Sequence, residues 1–116
     1  MIYKAVFHID LDDEKRLQIG LNNVANLLKA ISGKPHDLVM LFNGPAVNGI
    51  VEKNCVNHMT KILELQEQNV TFQVCQNALN AFEIDAKDLV PGCVVVPAGI
   101  VALIELQNEG YGYIKP

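Results

Sequence analysis

No run of lysine or arginine occurs anywhere in the sequence. Nine basic residues are scattered among thirteen acidic ones, for a net charge of −4 and a pI of about 5.2. Binding to a phosphate backbone needs a basic stripe, so no nucleic-acid partner is expected. Nor is there an apolar run approaching the roughly 18 residues of a membrane span. Met1 to Val6 leads straight into a strand pattern, without the basic segment, apolar stretch and small-residue cleavage site of a signal peptide. Cysteine is sparse: Cys55, Cys75 and Cys93 are odd in number and widely spaced, with no C-x-x-C and no Cys/His zinc spacing. The expectation is a cytoplasmic protein with reduced thiols, no metal site, no cofactor and no membrane contact.

What is present is enough for one core. Half of the 116 residues are apolar and only 19% are charged, which excludes a disordered chain and fits a single domain over residues 1–116. Tyr3 to Ile9 is rich in β-branched and aromatic residues and reads as a strand. Asp10 to Glu14 is an acidic turn in which Asp12 or Asp13 can cap a helix. Leu17, Leu21, Val24, Leu28 and Ile31 recur at helical spacing, and Ser32-Gly33-Lys34-Pro35 stops that helix. Leu38 to Phe42 is a continuous apolar run, expected of a strand covered on both faces. Ala46 to Val51 is ambiguous between loop and helical turn. Val56, Met59, Ile62 and Leu63 mark a second helix, and Val70 to Val74 a third strand. A short helix carries Leu79 and Phe82. Cys93 to Val96 reads as a fourth strand, Ala98 to Glu109 as a helix entered through Pro97 and stopped by Gly110, and Tyr111 to Ile114 as a last strand. Ile100, Val101, Leu103, Ile104 and Leu106 cover more than one side of the last helix, which predicts its burial in the domain or against another subunit.

This alternation implies an α/β fold, three layers in the order α/β/α, around a mostly parallel five-stranded sheet. Sites in such sheets form beyond the carboxyl ends of the strands, which selects the loops 10–13, 43–47, 75–77 and 97–99. A flavodoxin-type phosphate cradle is excluded, because the first loop is acidic. A phosphoacceptor receiver domain is excluded too, because Cys75 stands where its aspartate belongs.

Cys75 is therefore the leading candidate. Between a strand and a helix starting near Asn77, its sulfur would face unpaired helix N–H groups, which favour the nucleophilic thiolate; the alternative is a buried structural cysteine. Cys93 reads as buried. Cys55 reads as semi-exposed, one helical turn from His58 and without an assigned task. His8 reads as a core or interface residue and His36 as a solvated one. The acidic cluster from Asp10 to Glu14 reads as capping and solvated, with cation binding as the alternative. Asn43-Gly44-Pro45 is either a plain turn or a pocket wall.

The segments Phe72-Gln73-Val74-Cys75-Gln76-Asn77-Ala78-Leu79, Val94-Val95-Val96-Pro97-Ala98-Gly99-Ile100 and Leu106 to Pro116, with its Gly-Tyr-x-Tyr-Ile-Lys-Pro ending, resemble the DsrE/DsrF-like family, within it a small archaeal and bacterial branch. The resemblance spans nearly the whole chain. It implies the three-layer fold, a homo-oligomer (trimer or hexamer), and by position a persulfide-carrying role for Cys75 like that of the cysteine after the third strand in sulfur-relay members. Asn43, Gly44, Asn77 and Gly99 would then line the site, with other proteins as sulfur donor and acceptor. Two further readings stay open: a noncatalytic module binding a small molecule or a protein, and an assembly subunit with no site of its own.

Overall fold

A computed structural model describes all residues, Met1 to Pro116. The chain runs β1 (Tyr3–Ile9), α1 (Glu14–Ile31), β2 (His36–Phe42), three short 3₁₀ segments over Gly44–Ile50, Glu52–Asn54 and Val56–His58, α2 (Met59–Glu67), β3 (Val70–Cys75), α3 (Gln76–Ala81), a 3₁₀ turn Ala86–Asp88, β4 (Val94–Val96), α4 (Gly99–Asn108) and β5 (Gly112–Ile114). The five strands lie in the order β4-β3-β2-β1-β5, and every pairing is parallel. The ambiguous Ala46–Val51 stretch belongs to the first 3₁₀ segment as far as Ile50, and Val51 is extended and bridged to Leu89.

Local chemistry explains the boundaries. Asp13 caps α1, accepting from the N–H groups of Lys15 at 2.9 Å and Arg16 at 3.4 Å. Ser32 closes that helix in the left-handed region at φ 44°, donating its N–H to the Leu28 carbonyl. The apolar run in β2 reflects its central place: Leu38 to Phe42 are all buried. Strand alternation sends Leu38, Met40 and Phe42 into one core and Val39 and Leu41 into another.

The two faces of the sheet are unequal. The connections from β1 to β4 pass over one face, where Leu21 and Val24 of α1, Ile62 and Leu65 of α2 and Leu79 of α3 build the large core. The last crossover carries the chain from the β4 edge back to the β1 edge, and α4 alone covers the opposite face through Leu103 packed on Val6, Val39 and Leu41. With no neighbouring helix there, Ile100, Val101 and Ile104 of α4 are exposed, at 62%, 49% and 54%. The burial expected for these residues is therefore not supplied by the single chain.

β5 is short, and side chains fasten it. Lys115 pairs with Asp10 beyond the end of β1, and Arg16 Nη1 donates to the Pro116 carbonyl at 3.3 Å. The bond to Lys115, ahead of the opposing effect of burial, holds the Asp10 carboxyl below its usual range.

Two outcomes follow. Phe72 is fully buried and stacks on Phe42 at 6.2 Å between ring centroids; Phe72→Ala should cost about 3–5 kcal/mol in urea unfolding, whereas Ile104→Ser should change monomer stability by about 0.5 kcal/mol or less. Because the folded Asp10 carboxyl is the more acidic, its pairing stabilises above the ordinary pKa of 3.8 and is lost as pH falls through the lowered folded value. Lys115→Met should lower stability at neutral pH by under about 1 kcal/mol, as for other solvent-reached pairs. Thermal melts of the two proteins should converge on acidification.

Candidate functional site around Cys75

Cys75 ends β3, paired with Val96 of β4, and α3 begins at the next residue. The helix thus starts one residue earlier than the sequence suggested. Cys75 becomes its capping residue, in extended backbone (φ −73°, ψ 120°), and its side chain accepts no bond from the helix N–H groups. The hydrogen bonds expected from this helix end to the sulfur are therefore not made. The residue is buried, at 6% exposure.

Its neighbour is the start of α4. A Cβ built on Gly99 would lie 2.9 Å from Asn43 Cβ, 3.3 Å from Cys75 Cβ and 3.3 Å from Leu41 Cδ2. Three sequence candidates, Asn43, Cys75 and Gly99, therefore meet where α4 presses on the ends of β2 and β3. Gly44 is beside them in the left-handed region (φ 55°), where a Cβ would come within 3.3 Å of the Asp10 carbonyl. Asn77 stands exposed on α3 and makes no hydrogen bond within the chain.

Two residues join this site that sequence reasoning had not placed in it. His8 pairs in register with Leu41, so it shares the α4 face with Asn43 two residues on. His8 Nε2 lies 2.7 Å from Asn43 Oδ1, and His8 Nδ1 lies 2.7 Å from the Tyr113 hydroxyl. The oxygen of a carboxamide can only accept. In the neutral ring Nε2 therefore donates to Asn43, and Nδ1 accepts from Tyr113. The rings of His8 and Tyr113 also meet edge to face at 5.7 Å. Tyr113 reaches His8 only because β5 pairs with β1, with Tyr113 opposite Val6. The period-2 pattern places His8 on the face of Val6, but the identity of the adjoining strand is not written locally.

The other thiols are differently housed. Cys55, expected to be semi-exposed, is buried at 1% exposure. Its sulfur donates to the carbonyl of Val51 at 3.4 Å and reaches that of Glu52 at 3.7 Å. Burial, then the Glu52 charge, pushes that thiol up. Cys93 is half-buried in the turn before β4, and burial, then Cys55, raises it to about 12. In both, ionisation to the nucleophilic thiolate is disfavoured. His58 turns away from Cys55 and meets Glu14, at 3.2 Å.

The acidic loop does not converge on a point. Asp10 holds Lys115, Asp13 caps α1 and Glu14 pairs with His58. Asp12 lines a cleft of about 300 Å³ with Leu11, Asn48, Asn54 and His58, at the carboxyl ends of β1 and β2 on the large-core side. Cys75 is not part of its wall.

The close approach at Gly99 sets a test. Gly99→Ala gains helix propensity of about 1 kcal/mol, but its methyl group must displace Asn43, whose Cβ is fixed to backbone. The net effect expected in chemical denaturation is a loss of about 1–3 kcal/mol, as for other overpacked sites.

Comparison with known proteins agrees with this architecture. A protein of unknown function from Methanobacterium thermoautotrophicum whose structure is solved, MTH1491, superposes with a TM-score of 0.90 at 33% identity, over 98% of this chain and 99% of that one. A conserved protein of unknown function from Bacteroides thetaiotaomicron, BT1422, shares the fold with a TM-score of 0.76 at 20% identity, over 97% and 94% of the two chains. No curated protein matches. The profile of the DsrE/DsrF-like family matches residues 4–116, and on that match and the strand-end architecture the chain belongs to the DsrE/DsrF-like family.

Proposed function

We propose that this protein is a sulfur carrier that holds sulfane sulfur as a persulfide on Cys75. The observation that supports it is the place of this thiol. Cys75 ends β3 at the carboxyl edge of the sheet, against the side-chain-free Gly99, which also meets Asn43, whereas burial disfavours the ionisation of Cys55 and Cys93. Membership of a family that includes sulfur-relay proteins points the same way.

The chemistry is an exchange that balances without an oxidant. The Cys75 thiolate attacks the outer sulfur of a donor persulfide, R–S–SH. A sulfur–sulfur bond forms at Cys75 as the donor's bond breaks, and the electron pair leaves with the donor as R–S⁻. The product, Cys75–S–SH, gives its outer sulfur to an acceptor thiolate by the same step, with Cys75 as the leaving thiolate. No cofactor or metal takes part in this exchange. At 6% exposure the sulfur needs an opening, and the turn at Pro97–Gly99 with the six-residue α3 forms the cover that has to shift.

The partners are donor and acceptor proteins and further copies of the chain. A trimer or hexamer would cover Ile100, Val101 and Ile104, which the single chain leaves in water. A second reading rests on the 300 Å³ cleft, from which Cys75 is absent: a noncatalytic module that binds a small molecule there, with Cys75 only packing. Mass spectrometry after incubation with a low-molecular-weight persulfide separates the two. The carrier reading expects a one-sulfur adduct on the peptide containing Cys75, removed by an acceptor thiol and absent in Cys75→Ser. An unmodified Cys75 in folded protein, or an adduct spread equally over all three cysteines, contradicts it.

A further inference from the structure

Once α3 is seen to give Cys75 no hydrogen bond, the sulfur of a thiolate or persulfide needs a donor from elsewhere. Asn43 and Cys75 flank Gly99, with their Cβ atoms at 2.9 and 3.3 Å from the point where a side chain on Gly99 would begin. Gly99 puts no side chain into this gap, which Leu41 Cδ2 borders as well, at 3.3 Å. A carboxamide has an accepting end and a donating end. The accepting end of Asn43 is taken by His8 Nε2 at 2.7 Å, so its amino group faces away from the histidine, and that group makes no hydrogen bond within the chain. The histidine is itself fixed, since its second nitrogen binds the Tyr113 hydroxyl at 2.7 Å. Two residues before Cys75 on β3, Gln73 Oε1 is buried without a partner.

Resting on the sulfur-carrier reading, we infer that the Asn43 amino group is the donor that serves the sulfur at Cys75 once it is anionic, and that His8, clamped by Tyr113, is the positioning residue that keeps this amino group free on the side away from the histidine. The ligand is an anionic sulfur: the Cys75 thiolate before transfer and the deprotonated persulfide after it. His8 touches no sulfur and acts only through Asn43.

The test follows Cys75 in native protein by peptide mass spectrometry, at neutral pH, in two separate reactions: alkylation by iodoacetamide and sulfur uptake from a low-molecular-weight persulfide. Asn43→Ala should slow alkylation by at least about tenfold, the factor carried by one hydrogen bond to a charged atom. His8→Phe should slow it to a similar degree, and the double variant should be no slower than Asn43→Ala alone, because the two changes remove one effect. His8→Gln, whose amide can still donate to Asn43, should restore most of the rate; a merely structural role would not discriminate Gln from Phe in this way. If Asn43→Ala does not fold, the shape-matched Asn43→Leu takes its place. The ¹⁵N spectrum of His8 should show the proton on Nε2. Unchanged alkylation in a folded Asn43 variant overturns the inference, and additive losses in the double variant overturn the part given to His8. Absence of sulfur uptake in the unaltered protein, with alkylation still dependent on Asn43 and His8, defeats the carrier reading and leaves the donor assignment standing.

Discussion

The close approach of α4 to the sheet at Gly99 is the constraint on which this structure turns. A parallel strand that lands on the far edge must be reached over the far face, and one helix has to span the return. Gly99 lets that helix begin directly on the ends of β2 and β3, where even one methyl group meets Asn43. The same return delivers β5 to the free edge of β1 and so brings Tyr113 to His8. Fold and site are in this sense one event: the crossover that completes the sheet also gathers residues from both ends of the sequence around Cys75.

Burial divides the thiols by consequence as well as by degree. Cys55 gives its S–H to backbone carbonyls and packs within the large core, where removing a proton would leave a charge without solvent. Cys93 suffers the same cost and adds repulsion from Cys55. Cys75 is buried too and belongs to the same large core, but it stands at the end of a strand. It lies at the rim of the sheet, its cover consists of a six-residue helix and a turn, and two residues before it Gln73 Oε1 is buried without a partner. Such short segments have few buried contacts and open locally at lower free energy than core strands.

Much of the fold is legible in the sequence because the physical signals are local. The continuous run Leu38 to Phe42 marks a strand covered on both sides, the steps from Leu17 to Ile31 mark one helical face, and the capping carboxylate before α1 is among the two residues singled out for it. The site is legible only in part. Asn43, Cys75 and Gly99 are found by the rule that parallel sheets bind at their carboxyl ends, which needs only the order of elements. His8 and Tyr113 lie 105 residues apart, and their meeting depends on strand order, which no local pattern carries. Asn77 differs from these three, since α3 begins one residue earlier than its pattern suggests and carries it exposed on the helix. The apolar excess of α4 was readable as composition, but a single chain holds nothing to cover Ile100, Val101 and Ile104.

That Cys75 is the thiol a visitor can reach is the claim beneath the functional account, and a time course of thiol labelling in native conditions measures it directly. The account predicts that Cys75 is labelled first, faster than the protein unfolds, with the half-buried but weakly ionised Cys93 slower than Cys75 and the buried Cys55 following only at the rate of global opening. Labelling of all three cysteines together, at the unfolding rate, would contradict it.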